Sequence, residues 1–282
     1  MFPVEKMCPI LGVSKSGYYK WLKAQPSKRA IENQELTERI KQAHQRSKGA
    51  YGSPRITEEL RAGGQAVSRP RVARLMRQVN LRSVIGKKKY VATTDSKHSH
   101  PVAENLLERN FQAERPGQVW LSDITYIATA QGWLYLTIIL DLALRKVIGW
   151  ALSTQLTAAQ TSVAAFRMAA KHQPIRPGLL FHSDRGVQYA CVEFRNVLAQ
   201  SNARQSMSRK ADCYDNAVAE SFFKTLKVEC VYQQRFESRA QAGLAVFEYI
   251  ECWYNTQRRH SALGYLSPVE FEQLLLTKGQ AA

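Results

Sequence analysis

The 282-residue chain is predicted to fold as an α/β domain with a mixed sheet, preceded by an all-helical region. Between residues 114 and 232, runs rich in β-branched and aromatic residues alternate with amphipathic runs, as strands alternate with helices. Before residue 93, serine, proline and glycine punctuate segments of helical periodicity. A sheet layered with helices and a separate helical unit fit within a chain of this length.

The charge of the chain points to a polyanionic partner. It carries 40 Lys and Arg against 23 Asp and Glu, for a net charge of +17. Because lysine and arginine neutralise phosphates, nucleic acid is the leading candidate. No apolar run approaches the roughly 18 residues of a membrane span, and the first residues lack the pattern of a signal peptide. Five scattered cysteines without a C-x-x-C pair predict reduced thiols in a cytoplasmic protein.

Residues 1–45 are predicted to form a helical segment with a possible helix-turn-helix near its start. Ser14 follows Gly12 closely and is a suitable N-cap for the second of two short helices. Two packed helices without a DNA contact fit this pattern about equally well. A charged amphipathic helix is expected over residues 31–45.

Residues 46–92 are predicted to form a DNA-binding helix-turn-helix domain. Ser53 is expected to cap a helix whose first position is Pro54, and Ser68 to cap a second helix that has Pro70 near its start. Gly63-Gly64 separates the two helices. The second helix has an apolar face suited to packing and an arginine-rich face suited to a DNA groove. Its predicted DNA-contacting residues are Arg69, Arg71, Arg74 and Arg77. The run Lys87-Lys88-Lys89 extends the basic surface.

A linker is predicted at 93–113, a core at 114–232 and a helical extension at 233–282. Strands are expected at 119–127, 133–140, 146–152, 179–182 and 204–208. Short turns join the first three, which implies an antiparallel meander. In the extension, a long helix over 238–254 is expected to bury a stripe formed by Leu244, Phe247, Ile250 and Tyr254.

Three acidic residues of the core are predicted to meet at one sheet edge. Asp123 interrupts an apolar strand, Asp184 ends another strand, and Glu220 lies on a following helix. Three clustered carboxylates repel one another unless a cation holds them. Oxygen ligands alone favour Mg²⁺ or Mn²⁺ over zinc. Two ions are expected, with Asp123 bridging both, Asp184 holding one and Glu220 the other, for displacement at a phosphodiester.

The helix that carries Glu220 is predicted to present one polar face to substrate. Asp215 is expected to cap its start, and the polar face comprises Asn216, Glu220, Lys224 and Lys227. Lys227 is predicted to contact substrate phosphates as a point charge. For Asn216, a hydrogen bond to substrate and a capping role both remain open. His182 is interpreted as a packed core histidine.

These segments resemble the catalytic core of the DDE transposases and retroviral-type integrases. The matching stretches are 120–126, 182–189 and 215–224, with thirty-five residues between Asp184 and Glu220 and Lys227 seven positions beyond Glu220. More specifically, the chain is similar to the second-frame (OrfB) transposases of the IS3 family of bacterial insertion sequences. Further matching residues are Tyr51-Gly52, Arg55-Ile56, Tyr254-Asn255, Arg259-His260 and Leu263-Gly264-Tyr265.

The resemblance implies an RNase H-like fold with Asp123, Asp184 and Glu220 as catalytic, metal-binding residues. It also implies binding to terminal inverted repeats, 3′-end cleavage by water, and attack of the freed 3′-hydroxyl on target DNA. Implied partners are the upstream-frame OrfA product, often as a fusion, and further copies in a multimer on DNA. A bacterial cytoplasmic protein, associated with the nucleoid when bound, is expected. Alternatives are a nuclease of the same fold without joining activity and a DNA-binding regulator with an idle core.

Overall fold

A computed structural model describes residues 3–86, 98–210 and 212–280 of the chain. The chain divides into two compact units, with the boundary between Ser83 and Val84. The Lys87-Lys88-Lys89 run and the first part of the predicted linker lie outside the described residues. In the ranges just given, no helix combines the length and the apolar character that crossing a membrane requires.

The first unit is helical, as predicted. Its helices are α1 Val4–Ile10, α2 Lys15–Leu22, α3 Lys28–Arg46, α4 Ser53–Ala62 and α5 Arg69–Gln78. The last three share an apolar core made of Leu36, Ile40, Ala43, Ile56, Leu60, Val72, Leu75 and Met76. The predicted cap Ser14 is confirmed, because its side chain accepts a hydrogen bond from the Gly17 amide at 3.0 Å.

The predicted caps of α4 and α5 are wrong in detail. Gly52 occupies the N-cap position of α4, so that Ser53 is already the first helical residue. Ser68 does precede α5, but its side chain makes no capping hydrogen bond. Proline is the second residue of both helices and has no amide hydrogen, which removes one of the donors that a cap ordinarily binds.

The second unit contains the predicted five-stranded mixed sheet. Its strands are β1 Val119–Thr129, β2 Gly132–Asp141, β3 Val147–Ser153, β4 Leu180–Ser183 and β5 Arg204–Met207. They lie in the order β3-β2-β1-β4-β5. The first three strands pair antiparallel, which confirms the meander. The pairs β1–β4 and β4–β5 are parallel, as short buried strands between helical crossovers require.

Helices cover both faces of the sheet. They are α6 Ala164–His172, α7 Val187–Ala190, α8 Val192–Gln200, α9 Ala217–Glu229, α10 Arg239–Phe247 and α11 Pro268–Gln280. Because alternate strand residues point to opposite faces, Leu121 joins the apolar cluster under α9 and α10, while Trp120 joins the cluster under α6 and α8. At Gly149 a Cβ would lie 2.4 Å from the Ala165 carbonyl oxygen, so glycine lets α6 lie flat on β3.

The predicted buried stripe of the C-terminal helix is wrong at two positions. Leu244 is 61% exposed and Phe247 is 46% exposed, whereas Ala242 and Val246 are fully buried. The helix continues beyond α10 as a π-helical turn, Glu248–Tyr254. This helix carries apolar side chains on several of its faces, so hydrophobicity alone does not determine which face packs on the sheet.

The described part of the predicted linker, residues 98–113, lies along the core. The Leu106 amide donates to Ser206 Oγ at 2.9 Å, and the Glu104 carbonyl accepts from the Met207 amide at 3.3 Å. Leu107 is buried in the cluster under α9. This segment therefore covers the outer edge of β5, which would otherwise expose unpaired backbone groups.

Candidate active site

The parallel pairing of β1 with β4 brings Asp123 and Asp184 to the same edge of the sheet. Leu121 is the register partner of His182. Asp123 lies two residues after Leu121 within β1, and Asp184 lies two residues after His182, directly beyond the end of β4. Because parallel strands keep this register, the two carboxylates lie at corresponding positions on adjacent stretches of backbone. The register therefore places Asp123 and Asp184 close together in the sheet.

Helix α9 supplies the third carboxylate. Asn216 occupies its N-cap position, and the Asn216 Nδ2 donates to the Ser122 carbonyl oxygen at 3.0 Å. That carbonyl belongs to the peptide bond that leads into Asp123. The start of α9 is thereby tied to β1, and Glu220 lies exposed in the first turn that follows.

The three carboxylates interact electrostatically. Burial raises the pKa of the Asp123 carboxyl well above its usual range, and the charges of Asp184 and Glu220 raise it further. Glu220 is exposed overall, but partial loss of solvent around its carboxyl raises its pKa, and the charge of Asp184 raises it further. The Ile124 amide, which donates to Asp123 Oδ1 at 2.8 Å, acts in the opposite direction. The cluster thus resists holding three negative charges at once, and a bound cation would relieve it.

The basic residues of α9 differ in their surroundings. Lys227 is half-buried, and burial lowers its pKa while the negative charge of Asp123 raises it. Lys227 therefore interacts electrostatically with Asp123. Lys224 is exposed to solvent on the same helix. The opposite face of α9 is apolar, as predicted, and buries Phe222 and Leu226.

Of the two roles predicted for Asn216, side-chain capping is wrong, although Asn216 does occupy the N-cap position of α9. The hydrogen bond to substrate stays a prediction. Asn216 is buried, its side chain makes no capping bond, and its Nδ2 binds the Ser122 carbonyl. Its Oδ1 is buried and has no hydrogen-bond partner among the described residues. The side chain is thus positioned by the β1 backbone, which no local sequence pattern could reveal.

The predicted capping role of Asp215 is wrong. Asp212 caps the short 3₁₀ turn Cys213–Asn216 by accepting from the Tyr214 amide at 3.1 Å. The buried Asp215 carboxylate instead binds Arg209 through its backbone amide and its guanidinium, at 2.8 to 3.0 Å. Arg109 donates to it at 2.9 Å. Two guanidinium groups stabilise a carboxylate more strongly than two helix amides do, so Asp215 turns towards them.

This network orders the loop that precedes α9, and it should make stability depend on pH. The guanidinium of Arg209, with further hydrogen bonds from Arg109, holds the pKa of Asp215 far below its usual range. Its stabilising contribution is therefore complete above about pH 4, the unfolded-state pKa of aspartate, and is lost as pH falls below it. We expect Asp215→Asn to lower the free energy of unfolding by ~1–3 kcal/mol at pH 7.

Chemical denaturation of wild type and Asp215→Asn between pH 7 and pH 3 measures this effect. The difference between the two proteins should shrink below about pH 4, because Asp215 takes up a proton in the unfolded chain while the folded carboxylate stays ionised. A difference that stays constant across the range would contradict the proposed ionic role. Sequence reasoning missed Arg109 because it lies 106 positions from Asp215 in the chain.

His182 supports the site from within the core. It is fully buried, which confirms the interpretation made from the sequence. Its Nδ1 lies 2.8 Å from Ser206 Oγ and its Nε2 lies 3.2 Å from Ser208 Oγ. Burial lowers the pKa of His182 to about 4, so the ring is neutral near pH 7. It packs β4 against β5 and carries no charge to the site.

Ser122 and Tyr189 are further residues that sequence reasoning missed. Ser122 Oγ donates to the Ile138 carbonyl oxygen at 2.7 Å, and the Tyr189 hydroxyl lies 2.8 Å from Ser122 Oγ. Both residues are fully buried. Together they hold the strand position immediately before Asp123 against β2 and α7.

The donor chemistry of the cluster fits a hard divalent cation. Within the ranges that the structure describes, no group of three or more His, Cys, Asp or Glu side chains is arranged so that it could hold a metal ion. Asp184 Oδ1 accepts from the Gly186 amide at 2.9 Å, so it is engaged locally. The available donors are nonetheless carboxylate oxygens next to Lys227, and such oxygens suit Mg²⁺ or Mn²⁺.

The predicted DNA-contacting arginines of α5 fall into two groups. Arg69, Arg74 and Arg77 are exposed. Arg71 is half-buried and is bound to α3, where its Nε donates to Asn33 Oδ1 at 2.9 Å and its Nη2 to Glu32 at 3.2 Å. The inner face of α5 is buried as predicted, through Val72, Leu75 and Met76.

Comparison with known proteins matches both units. An HTH-like domain family matches residues 32–89, and integrase core domain families match residues 113–213 and 220–276. The IS600 insertion element 31 kDa protein of Shigella sonnei is 45% identical over 267 residues, covering 95% of this chain and 97% of the relative. Transposase InsF for insertion sequence IS3A of Escherichia coli K12 is 43% identical over 273 residues, covering 96% and 94%. The chain belongs to the IS3 family of insertion-sequence transposases.

Solved integrase cores resemble this IS3-family chain more distantly. The catalytic core of BIV integrase aligns with 57% of this chain and 98% of its own, at 18% identity and a TM-score of 0.42. The core of HTLV-2 integrase, solved in complex with magnesium, covers 57% and 97% at 13% identity and a TM-score of 0.40. Family membership carries the RNase H-like fold, and the observed strand order β3-β2-β1-β4-β5 agrees with it.

Proposed function

We propose that this chain is a DDE transposase that cleaves the 3′ ends of its element and joins them to target DNA. The observation that carries the proposal is the placement of three carboxylates: the β1–β4 register puts Asp123 next to Asp184, and α9, bound to β1 through Asn216, carries Glu220. The charges of Asp184 and Glu220 raise the pKa of Asp123, as expected of neighbours. A carboxylate cluster of this kind is costly in a protein unless a cation balances it. Asp184 lies directly beyond the end of β4 and Glu220 is exposed, so a DNA backbone could reach the cluster from that side.

Two Mg²⁺ or Mn²⁺ ions are the proposed cofactors. Asp123 would hold both, Asp184 one and Glu220 the other. When bound, the ions supply activation of the attacking oxygen and stabilisation of the leaving oxygen in an in-line displacement. Lys227, near Asp123, would bind the phosphate beside the scissile bond, and the exposed Lys224 would bind the backbone further along the helix. The attacking group is water for cleavage and the freed 3′-hydroxyl for joining.

Recognition of the element ends is assigned to residues 46–92 and chemistry to residues 114–232, with 233–282 as an extension of the core. In α5 the exposed arginines Arg69, Arg74 and Arg77 would contact the terminal inverted repeats. Joining two element ends requires both to be held at once, so a multimer on DNA is proposed. The proposed protein partner is the OrfA product, alone or fused. Action in the bacterial cytoplasm at the nucleoid follows from a DNA substrate.

One assay distinguishes the proposal from its alternatives. Purified full-length protein is incubated with labelled terminal-repeat DNA, a target plasmid and either Mg²⁺ or Mn²⁺. Labelled ends covalently joined to plasmid support the transposase. Nicked ends without joined product indicate a nuclease, and retarded but intact DNA indicates a regulator. Omission of the divalent ion should abolish every covalent product.

A further inference from the structure

The C-terminal end of α9 is held by a buried ion pair. The carboxylate of Glu229, the last residue of α9, accepts two hydrogen bonds from the Arg258 guanidinium. Arg258 Nε lies 2.8 Å from Glu229 Oε2, and Arg258 Nη2 lies 2.7 Å from Glu229 Oε1. The two side chains are only 8% and 5% exposed. The Tyr249 hydroxyl donates to Glu229 Oε2 at 2.9 Å. The carboxylate is therefore fully engaged and fixed in direction.

Arg258 is itself fixed to the sheet through its own segment. Three residues before it, the buried Asn255 binds the edge strand β3 by two hydrogen bonds. Its Oδ1 accepts from the Val147 amide at 2.9 Å, and its Nδ2 donates to the Val147 carbonyl at 2.9 Å. The Asn255 carbonyl also accepts from the Val269 amide at the start of α11, at 3.0 Å. Arg258 thus binds Glu229 from a segment that is itself hydrogen-bonded to the sheet.

The same segment also packs against the middle of α9. The ring of Tyr254 meets the ring of Phe222 edge to face, with centroids 4.7 Å apart. Phe222 lies two residues after Glu220 on the helix. At the other end, Asn216 binds the Ser122 carbonyl. Helix α9 is therefore attached to the sheet at its start, at its middle and at its end, with Glu220 between the first two attachments.

Stability alone does not account for the buried pair. Removing two charges from water costs several kcal/mol per ion, and apolar residues of similar volume often stabilise a core equally well or better. What a bidentate guanidinium–carboxylate pair adds is direction, because it accepts only a narrow range of helix positions and rotations. The orientation of α9 is what determines where Glu220 lies relative to Asp123 and Asp184.

We propose that Arg258 is a positioning residue for catalysis. Through Glu229 it sets the rotation and axial position of α9, and so places Glu220 beside the two aspartates. This inference rests on the proposed function of the three carboxylates. It gives the segment 249–258 an internal role as a brace between β3 and α9, rather than a role in contacting DNA.

The test replaces the pair as a whole. In the full-length double variant Glu229→Met/Arg258→Met, neither charge is left buried without its partner, so the fold is expected to persist. The matched control is Lys146→Met/Glu272→Met, which removes a partly exposed pair, 2.6 Å apart, that does not involve α9. Each protein is bound to terminal-repeat DNA and titrated with Mn²⁺, and free Mn²⁺ is measured by electron paramagnetic resonance. Joining rates, DNA retention and Tm are measured in parallel.

Loss of the brace should weaken Mn²⁺ binding and slow joining by about 10–100-fold, as loss of supporting contacts does at other metal sites. DNA retention and Tm should stay close to those of the control. Unchanged Mn²⁺ affinity in a folded double variant would overturn the inference. If the double variant does not fold, the variant Arg258→Lys is tested in its place, because it keeps the charge but loses the bidentate geometry. Wild-type Mn²⁺ affinity in Arg258→Lys would overturn the inference equally.

Failure of the proposed function gives a different result. In that case Glu220→Gln would bind Mn²⁺ as wild type does. If Glu220→Gln weakens binding but loss of the brace does not, the carboxylate cluster holds metal and only the positioning role of Arg258 is wrong.

Discussion

Asp184→Asn is expected to abolish both cleavage and joining while leaving binding of terminal-repeat DNA close to that of wild type. The amide keeps the shape of the side chain but carries no charge with which to hold a divalent cation. We expect joining to fall by ~10³-fold or more, equivalent to about 4 kcal/mol of transition-state stabilisation. The proposed DNA contacts of α5 belong to the other structural unit, so we expect them to persist.

The same substitution should leave the protein at least as stable as wild type. Asp184 raises the pKa values of Asp123 and Glu220, so removal of its charge relieves repulsion within the cluster. Tm measured without divalent ions is therefore expected to equal or exceed the wild-type value, as is common when a functional site is neutralised. Glu193→Gln, which removes an exposed carboxylate on α8, serves as control and should change neither the joining rate nor Tm. Parallel loss of DNA retention and chemistry would contradict a metal-holding role.

The triple variant Arg69→Ala/Arg74→Ala/Arg77→Ala is expected to weaken binding of terminal-repeat DNA by ~10²-fold or more at moderate salt. These three guanidinium groups are exposed on one helix whose other face is buried. Each phosphate contact contributes about 0.9 to the slope of log affinity against log salt, so the slope should fall by nearly three. Gel retardation over a range of salt concentrations measures both quantities.

A matched control is available in the same unit. Arg29, Arg39 and Arg46 are exposed on α3, and their replacement by alanine removes the same charge. Arg71 is left intact in both variants, since its bonds to Asn33 and Glu32 tie it to α3. Equal weakening by the two triple variants would show that general charge, and not α5, determines binding.

The sheet could be predicted because each of its first three strands has a local sequence pattern. Alternating β-branched and aromatic residues mark β1 to β3, and short turns leave an antiparallel meander as the natural arrangement. Asp123 could be chosen because a carboxylate within an apolar strand is costly unless it has a function. Asp184 and Glu220 could be chosen with it because one ends a neighbouring strand and the other lies on a following helix, and the resemblance to DDE enzymes agrees with that choice.

Contacts between distant segments could not be predicted in this way. Asp215 precedes a helix and looks like a cap, yet it binds Arg109 from a segment that was expected to be a linker. The contact of Asn216 with β1 is hidden for a similar reason, since the acceptor of its Nδ2 is a carbonyl oxygen on another element. Glu229 and Arg258 carry no local signature of pairing. Such contacts depend on tertiary geometry, which sequence periodicity does not record.

The central claim is that Asp123, Asp184 and Glu220 share divalent cations. Anomalous diffraction from Mn²⁺-soaked crystals of the protein with terminal-repeat DNA tests it most directly. We predict two manganese peaks about 3.5–4 Å apart, both touching Asp123, one also touching Asp184 and the other Glu220. Manganese peaks that none of these carboxylates touches, or Glu220 turned away from an ion held by the two aspartates, would contradict it.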